Sequence, residues 1–165
     1  VLVFLYDSFI RGVRTVDLLL FWFFWPIFRI QLFFYKSWFL SDFQILNKLT
    51  PNAPEVLQGI AASYQGLKTY EKSIEYFTKS LSVQPNNYIA FFGRAASNFY
   101  TANYENAIKD YNSALQLNPN YKDAYVNRGM SYFKLNKMNE ACDSWLLAKQ
   151  RGAENVDSFI RSYCK

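Results

Sequence analysis

The sequence has 165 residues, of which 51% are hydrophobic and 20% aromatic, and a formal net charge of +5. The absence of histidine removes the commonest general base and the commonest metal ligand. Basic and acidic side chains alternate along residues 41–165, which is typical of a solvated helical surface and not of the concentrated basic stripe of a nucleic-acid-binding protein. We therefore expect no enzyme activity, no cofactor, no metal site and no nucleic-acid partner.

Residues 1–40 form a hydrophobic, aromatic-rich segment, and its most apolar part is residues 18–35. A membrane-spanning helix needs about 20 mostly apolar residues. Only Arg29 and Gln31 interrupt this stretch, and Arg29 lies off-centre, where a long basic side chain can extend to the membrane surface. The segment is therefore predicted to be helical and is a candidate membrane anchor.

Three interpretations of this segment compete. It is a membrane anchor or interfacial hairpin, a docking segment buried in a larger assembly or against the first repeat, or an accident of the reading frame or of a fragment boundary. An anchor would make the protein membrane-associated, with the following domain in the periplasm or the cytoplasm. The orientation stays open because basic residues flank both sides: Arg11 and Arg14 before the apolar core, Arg29 and Lys36 within and after it.

Residues 41–53 predict a single helix that ends at a turn beginning with Pro51. Phe43 and Leu46 precede Phe77 and Ser80 by the same interval that separates Pro51 from Pro85, so this helix matches the second helix of the unit that follows it. The stretch therefore predicts a partial upstream unit whose first helix is replaced by the hydrophobic segment.

Three units of equal length follow, marked by the evenly spaced Pro51, Pro85 and Pro119, each of which precedes an asparagine. The units cover residues 54–87, 88–121 and 122–155. In each first half, an apolar residue is followed four positions later by a small one: Leu57 and Ala61, Phe91 and Ala95, Tyr125 and Gly129. Each second half has a small residue, a ring and another small residue on one helix face: Ser73, Phe77 and Ser80; Ala107, Tyr111 and Ala114; Ala141, Trp145 and Ala148.

This period and pattern resemble the tetratricopeptide repeat (TPR), a helix-turn-helix unit of about 34 residues, over residues 54–155. The resemblance implies an all-α fold, an α-solenoid of three repeats in which neighbouring repeats bury each other's apolar faces. Two positions depart from the family pattern. Asn98 stands where the first helix usually carries tyrosine, and Ala153 replaces the third terminal proline.

Residues 154–165 predict a capping helix, because Val156, Phe159, Ile160 and Tyr163 form an apolar stripe at helical spacing. A cap that runs antiparallel to the preceding helix brings Cys142 close to Cys164. The two cysteines either form a disulfide in an oxidising compartment or remain two thiols in a reducing one. The ending, with Cys142, Trp145, Gly152 and a final Tyr163-Cys164, resembles the C-terminal pattern of bacterial proteins of this family.

In this family the first helices line a concave groove that binds a partner protein or peptide. The register puts polar residues in the first repeat and apolar or aromatic residues in the next two, which favours an amphipathic helix or an extended apolar peptide. Packing of the same rings into the core is the competing interpretation. The candidate partner-binding residues are Gln58, Ala62, Ile89, Phe92, Ala96, Phe99, Val126, Met130 and Phe133.

The family's carboxylate clamp binds the acidic tails of heat-shock chaperones through Lys, Asn, Asn, Lys and Arg at five first-helix positions. The residues at those positions here are Gln58, Ala62, Gly93, Asp123 and Asn127. None matches, so we expect no clamp-type chaperone binding. Arg94 and Arg128 share one repeat position and either reach acidic groups or pair with neighbouring repeats.

The function predicted from the sequence is that of a protein-interaction scaffold, tethered to a membrane if residues 18–35 are an anchor. One alternative is a structural subunit of a larger assembly that docks through its hydrophobic N-terminus. A second is a helical-repeat RNA-binding protein, which Phe92, Asp123 and Val126 disfavour because they make the groove neither polar nor basic.

Overall fold

The structure is a computed structural model that describes residues 39–164. All the regular secondary structure in these residues is helical, in eight helices. They are α1 over residues 39–49, α2 Pro54–Gly66, α3 Tyr70–Val83, α4 Tyr88–Tyr100, α5 Tyr104–Leu117, α6 Lys122–Lys134, α7 Met138–Gln150 and α8 Asp157–Tyr163. The predicted anchor, residues 18–35, lies outside the described residues. None of the helices within residues 39–164 is long and apolar enough to cross a bilayer.

The helices pack as consecutive antiparallel pairs, α2 with α3, α4 with α5 and α6 with α7, and each pair also contacts the next. The fold is the all-α solenoid that the repeat period predicts. The small and aromatic positions that define the period are buried: Ala61, Ala95, Ala107, Ala114, Ala141 and Ala148 are 0% exposed, and Tyr111 and Trp145 are 1% and 0% exposed.

Close approach between helices depends on small residues at positions fixed by the repeat. The ring of Phe77 in α3 fills the space that a Cβ atom on Gly93 of α4 would need. The ring of Phe43 in α1 lies against Gly59 of α2 in the same way, at the equivalent positions one repeat earlier. Helix α1 therefore packs on the first unit as each second helix packs on the unit after it. Leu46 differs from its counterpart, because it is 41% exposed whereas Ser80 is fully buried.

The turn inside each unit reverses the chain through a residue in the left-handed region. Lys68, Ala102 and Asn136 have φ values of 61°, 59° and 58° and occupy the same position in successive units. In each turn the next backbone N–H donates to a carbonyl five residues back, as Asn103 does to Asn98 at 2.8 Å. This αL residue ends the first helix and directs the chain into the second.

Two clusters of buried side chains join neighbouring units in the described residues. The smaller contains Ala61, Phe77, Leu81 and Ala90 and joins the first unit to the second. The larger runs from Ala95 to Val156 and unites the second unit, the third unit and the cap. Polar groups also join the first two units. Gln65 donates to the Gly93 carbonyl at 3.2 Å and to Ser97 Oγ at 3.1 Å, and the buried hydroxyls of Ser73 and Ser97 lie 2.9 Å apart.

The cap helix begins three residues later than predicted. Residues 154–156 form a bend and a turn in which Val156 is 0% exposed, and α8 starts at Asp157. Phe159 stacks on Trp145 at 5.2 Å between ring centroids, and Tyr163 lies 4.9 Å from Phe133. The cap therefore covers the apolar end of the third unit, as a capping element does in a repeat array.

Candidate functional site: the concave face of the first helices

The first helices of the units form the inner face of the curved array. Helix α2 contacts α4 and α4 contacts α6, whereas within residues 39–164 the second helices α3, α5 and α7 make no contacts with one another. Close packing on one side and separation on the other bend the array so that α2, α4 and α6 line its concave face. Surface residues on these three helices are the candidates for a partner-binding site.

The middle unit supplies most of the apolar surface on this face. Ile89, in the first turn of α4, is 52% exposed. Phe92, one turn further along, is half-buried, and its ring centroid lies 4.8 Å from that of Tyr121 and 5.7 Å from that of Tyr111. The site is therefore an exposed aliphatic side chain beside a ring whose position is fixed by two tyrosines.

The third unit contributes less surface than its sequence indicated. Val126 is 8% exposed and belongs to the larger core cluster, so a partner on this face meets little of it. Phe133 lies 6.0 Å from Trp145 and 4.9 Å from Tyr163 of the cap, which covers one side of its ring. Met130 packs against the same cluster but is only partly buried. The predicted groove residues of α6 thus divide between core and surface.

The polar strip of the first unit is already hydrogen-bonded within the protein. Gln65 holds α2 to α4 through its two bonds to Gly93 and Ser97, and Gln58 Nε2 donates to the Pro54 carbonyl at 3.1 Å. Ala62, between these glutamines, is exposed. A partner therefore meets a small apolar residue here, flanked by two glutamines whose amide nitrogens make two hydrogen bonds in Gln65 and one in Gln58.

An aromatic ledge, formed by the partly buried Tyr70 and the exposed Tyr100, lies at one end of the concave face. Tyr100 is 62% exposed and stacks on Tyr70 with 4.9 Å between centroids and 12° between planes. Phe99, a predicted groove residue, meets Tyr100 and Tyr104 edge-on at 5.8 and 5.4 Å. Sequence reasoning missed the two ledge tyrosines because Tyr100 ends α4 and Tyr70 begins α3, so neither has the spacing of a groove residue.

Burial sets the ionisation of the two tyrosines behind Phe92. The apolar surroundings of Tyr111, which is 1% exposed, raise the pKa of its phenol far above the ordinary value of 10.0. Burial also raises the pKa of Tyr121, and the nearby Asp123 carboxylate adds to that effect. Both phenols are neutral at physiological pH, so the aromatic support of the groove is uncharged.

The two cysteines meet at the far end of the array. Cys142 in α7 and Cys164 after α8 form a disulfide, with their Cα atoms 5.6 Å apart and a sequence separation of 22. The bond joins the cap to the third unit, on which Lys149 also pairs with Asp157 of α8 at 2.7 Å. Within the described part of the chain, no three His, Cys, Asp or Glu residues are grouped as metal ligands would be.

Two parts of the sequence match known repeat families. Residues 54–87 match the family described as tetratricopeptide repeat, and residues 102–136 match the family described as TPR repeat. No curated protein matches the chain.

Solved structures with the same fold include the first TPR domain of Spaghetti (RPAP3) bound to an HSP90 peptide, SRMEEVD. It shares 26% identity and a TM-score of 0.64 over 67% of this chain and 89% of that one. MamA shares 22% identity and a TM-score of 0.67 over 74% of this chain and 69% of its own. The Sgt2 TPR domain from Aspergillus fumigatus shares 22% identity and a TM-score of 0.63 over 67% and 76%.

Proposed function

This chain belongs to the tetratricopeptide repeat family, and we propose that it is an interaction scaffold whose concave face binds a partner protein or peptide. The observation that carries the proposal is the exposed Ile89 beside the half-buried Phe92 on the inner helix α4. At protein interfaces a few anchors, often aromatic rings, provide most of the binding energy, and the contacts around them exclude water; Phe92 has the first role here and Ile89 the second.

An apolar partner fits this face better than a charged one. The exposed or partly exposed side chains on this face are mostly apolar: Ile89, Phe92, Ala96 and Met130. The amide nitrogens of the first unit's glutamines, Gln58 and Gln65, already donate hydrogen bonds within the protein. An amphipathic helix would place its apolar stripe along α4, with the aromatic ledge at one end of the groove. The proposal of an apolar partner rests on the placement of these side chains and on the family's common mode of binding.

Clamp-type binding of an acidic chaperone tail does not fit the five positions of this chain. The structure of the first TPR domain of Spaghetti contains an HSP90 peptide, SRMEEVD. Here the equivalent positions hold Gln58, Ala62, Gly93, Asp123 and Asn127, which offer no cation to a carboxylate. Asp123 is exposed in the first turn of α6 and would repel one. We therefore propose a partner other than a clamp-bound tail.

Site-specific photo-crosslinking tests the concave face directly. A photoreactive phenylalanine analogue replaces Ile89 in one variant and Val83, which is 50% exposed on the outer helix α3, in the control. The proposal predicts a discrete crosslinked product from position 89 and none from position 83. Ala96→Glu, introduced together with the probe at 89, should remove that product while the helical content stays unchanged. Equal crosslinking from both faces would refute the concave site.

The role of residues 18–35 is a separate proposal, namely a tether to a membrane; docking of the N-terminus into a larger assembly is its alternative. The disulfide supports an oxidising location such as the periplasm for the repeat domain, because such bonds persist there and are rare in the cytosol. Expression of the full chain and of residues 41–165, followed by an alkaline carbonate wash of the membranes, tests the tether. Retention of the full chain alone in the pellet supports it, and release of both forms contradicts it.

A further inference from the structure

Arg94 and Arg128 occupy the same position in successive units but have different partners. Arg94 donates from Nε and Nη2 to the two carboxylate oxygens of Asp110, at 2.8 and 2.7 Å. Its Nη1 donates to Thr78 Oγ1 at 3.2 Å. The guanidinium of the second unit thus has a bidentate counterion, with 22% of the arginine side chain and 10% of the aspartate side chain exposed.

The third unit keeps the arginine but not the carboxylate. Ser144 stands one repeat after Asp110, at the same position of the next unit, and Asn112 stands one repeat after Thr78. Arg128 donates from Nε to Ser144 Oγ at 3.1 Å and from Nη1 to Asn112 Oδ1 at 2.7 Å. Both partners are neutral. In residues 39–164, Arg128 forms no ion pair within 4.0 Å and its Nη2 has no hydrogen-bond acceptor.

The surroundings of Arg128 make this missing counterion costly. The residue is half-buried, and its guanidinium lies 5.1 Å from the centroid of the Tyr125 ring. A second guanidinium, that of Arg151, lies 4.4 Å from the same centroid. Burial lowers the pKa of Arg128, Tyr132 and Tyr125 raise it in part, and the nearby Arg151 lowers it again, although a guanidinium stays protonated at any physiological pH. A half-buried cation beside a second cation is stabilised by any anion that reaches it.

We propose that Arg128 and Asn112 bind a carboxylate supplied from outside the fold, at the guanidinium nitrogen Nη2, whose counterpart in Arg94 donates to Asp110. The two N–H bonds of Arg128 Nη2 and the amide group Nδ2 of Asn112 are the donors. The carboxylate comes either from a small free acid or from an Asp or Glu side chain of a partner. The exposed Glu140 and Asp143 of α7 lie in the same sequence region but do not pair with Arg128.

Side-chain NMR of the arginine Nε–H groups tests the site on the full chain. Sodium formate is titrated at constant ionic strength, and propionate, which has the length of a glutamate side chain, is titrated in parallel. We expect a weak, saturable shift of the Arg128 signal, in the millimolar range or above, and no shift of the Arg94 signal. A response to both acids means that a partner's side chain can enter, and a response to formate alone restricts the site to small free acids.

Two reciprocal variants make the test specific. Ser144→Asp supplies the missing carboxylate from within and should abolish the response of Arg128. Asp110→Ser should transfer a formate response to Arg94, which has none in the parent. The proposal is overturned if Arg128 does not respond to either acid, or if Ser144→Asp responds as the parent does. An unchanged Arg94 signal in a folded Asp110→Ser variant would equally contradict it. None of these outcomes depends on whether the concave face binds a partner.

Discussion

The ring of Phe77 in α3 fills the space that a Cβ atom on Gly93 of α4 would need. The two helices can pack this closely because Gly93 has no side chain. Phe77 is 3% exposed and cannot move aside without disturbing the smaller core cluster. The contact is repeated by Phe43 and Gly59 one unit earlier. These two contacts let α1 approach the first unit and the first unit approach the second, whereas Asn127 stands at the equivalent position of the third unit.

We expect Gly93→Ala to destabilise the protein by about 1 to 2 kcal/mol, because the two effects of the substitution oppose each other. Alanine gains about 1 kcal/mol in helix propensity over glycine. Overpacking against a buried ring costs about 1 to 3 kcal/mol, and the upper half of that range applies because a Cβ atom here would overlap the Phe77 ring. Urea denaturation followed by far-UV circular dichroism measures the change. The double variant Gly93→Ala with Phe77→Leu should lose less than the sum of its two single variants. A Gly93→Ala protein as stable as the parent would show that the helices have room to spare.

The left-handed turn residues predict a stabilising substitution. Ala102 has φ of 59°, a conformation that costs a residue with a Cβ atom about 1 kcal/mol relative to glycine. Ala102→Gly should therefore raise the unfolding free energy by up to about 1 kcal/mol. The matched control is Ala62→Gly, at an exposed position inside α2, which should lower it by a similar amount. If both substitutions lower the free energy of unfolding, the left-handed conformation of Ala102 does not reduce the stability of the folded protein.

The buried Tyr111 predicts a loss of stability in alkali. Its pKa is raised in the folded state by burial, so the folded phenol stays neutral at a pH where the unfolded one ionises. The stabilising contribution is complete below the unfolded pKa, near 10.0, and declines as the pH rises above it. The slope from this one group is about 1.4 kcal/mol per pH unit.

Tyr111→Phe isolates that contribution from the other tyrosines. The substitution removes only the hydroxyl and keeps the ring, so it should change stability far less at neutral pH, where the phenol is neutral in both states, than in alkali. Melting temperatures measured from neutral pH to above 10.0 should fall less steeply in the variant than in the parent. Parallel curves would mean that the phenol ionises in the folded protein as readily as in the unfolded chain.

The disulfide predicts a redox-dependent stability. A bond that closes a loop with a sequence separation of 22 stabilises the folded state by about 3 kcal/mol, mainly by restricting the unfolded chain. We expect Cys142→Ser with Cys164→Ser to lower the melting temperature, and dithiothreitol to lower it in the parent to the same value. The double variant should not respond to dithiothreitol. A parent whose melting is insensitive to reduction would contradict a stabilising bond.

Period and residue size were enough to predict most of the fold. Proline spacing located the units, and the small positions such as Ala95 and Ala107 are buried as that pattern requires. Exposure on the concave face was harder to predict. Gln58, Phe92 and Val126 share one repeat position, yet Val126 alone is in the core, because burial there depends on the residues that neighbouring units place over it.

Electrostatic pairing was also beyond the sequence alone. Arg94 and Asp110 are 16 residues apart on different helices, and nothing in their spacing shows that they meet. Once that pair is known, the repeat period shows at once that Ser144 leaves Arg128 without a counterion. The internal repeat is informative here because equivalent positions in neighbouring units can be compared within one structure.

The two clusters of buried side chains differ in size, so the interfaces between units should unfold locally in a defined order. The seam between the first two units rests on Gln65, Ser73, Ser97 and a small apolar cluster, whereas the second unit, the third unit and the cap share one larger core closed by a disulfide. In a nearest-neighbour array the weaker seam is where local unfolding begins. A ligand that contacts both α2 and α4 would stabilise the interface between the first two units. Its binding energy would then slow amide hydrogen exchange in helices that the ligand does not contact.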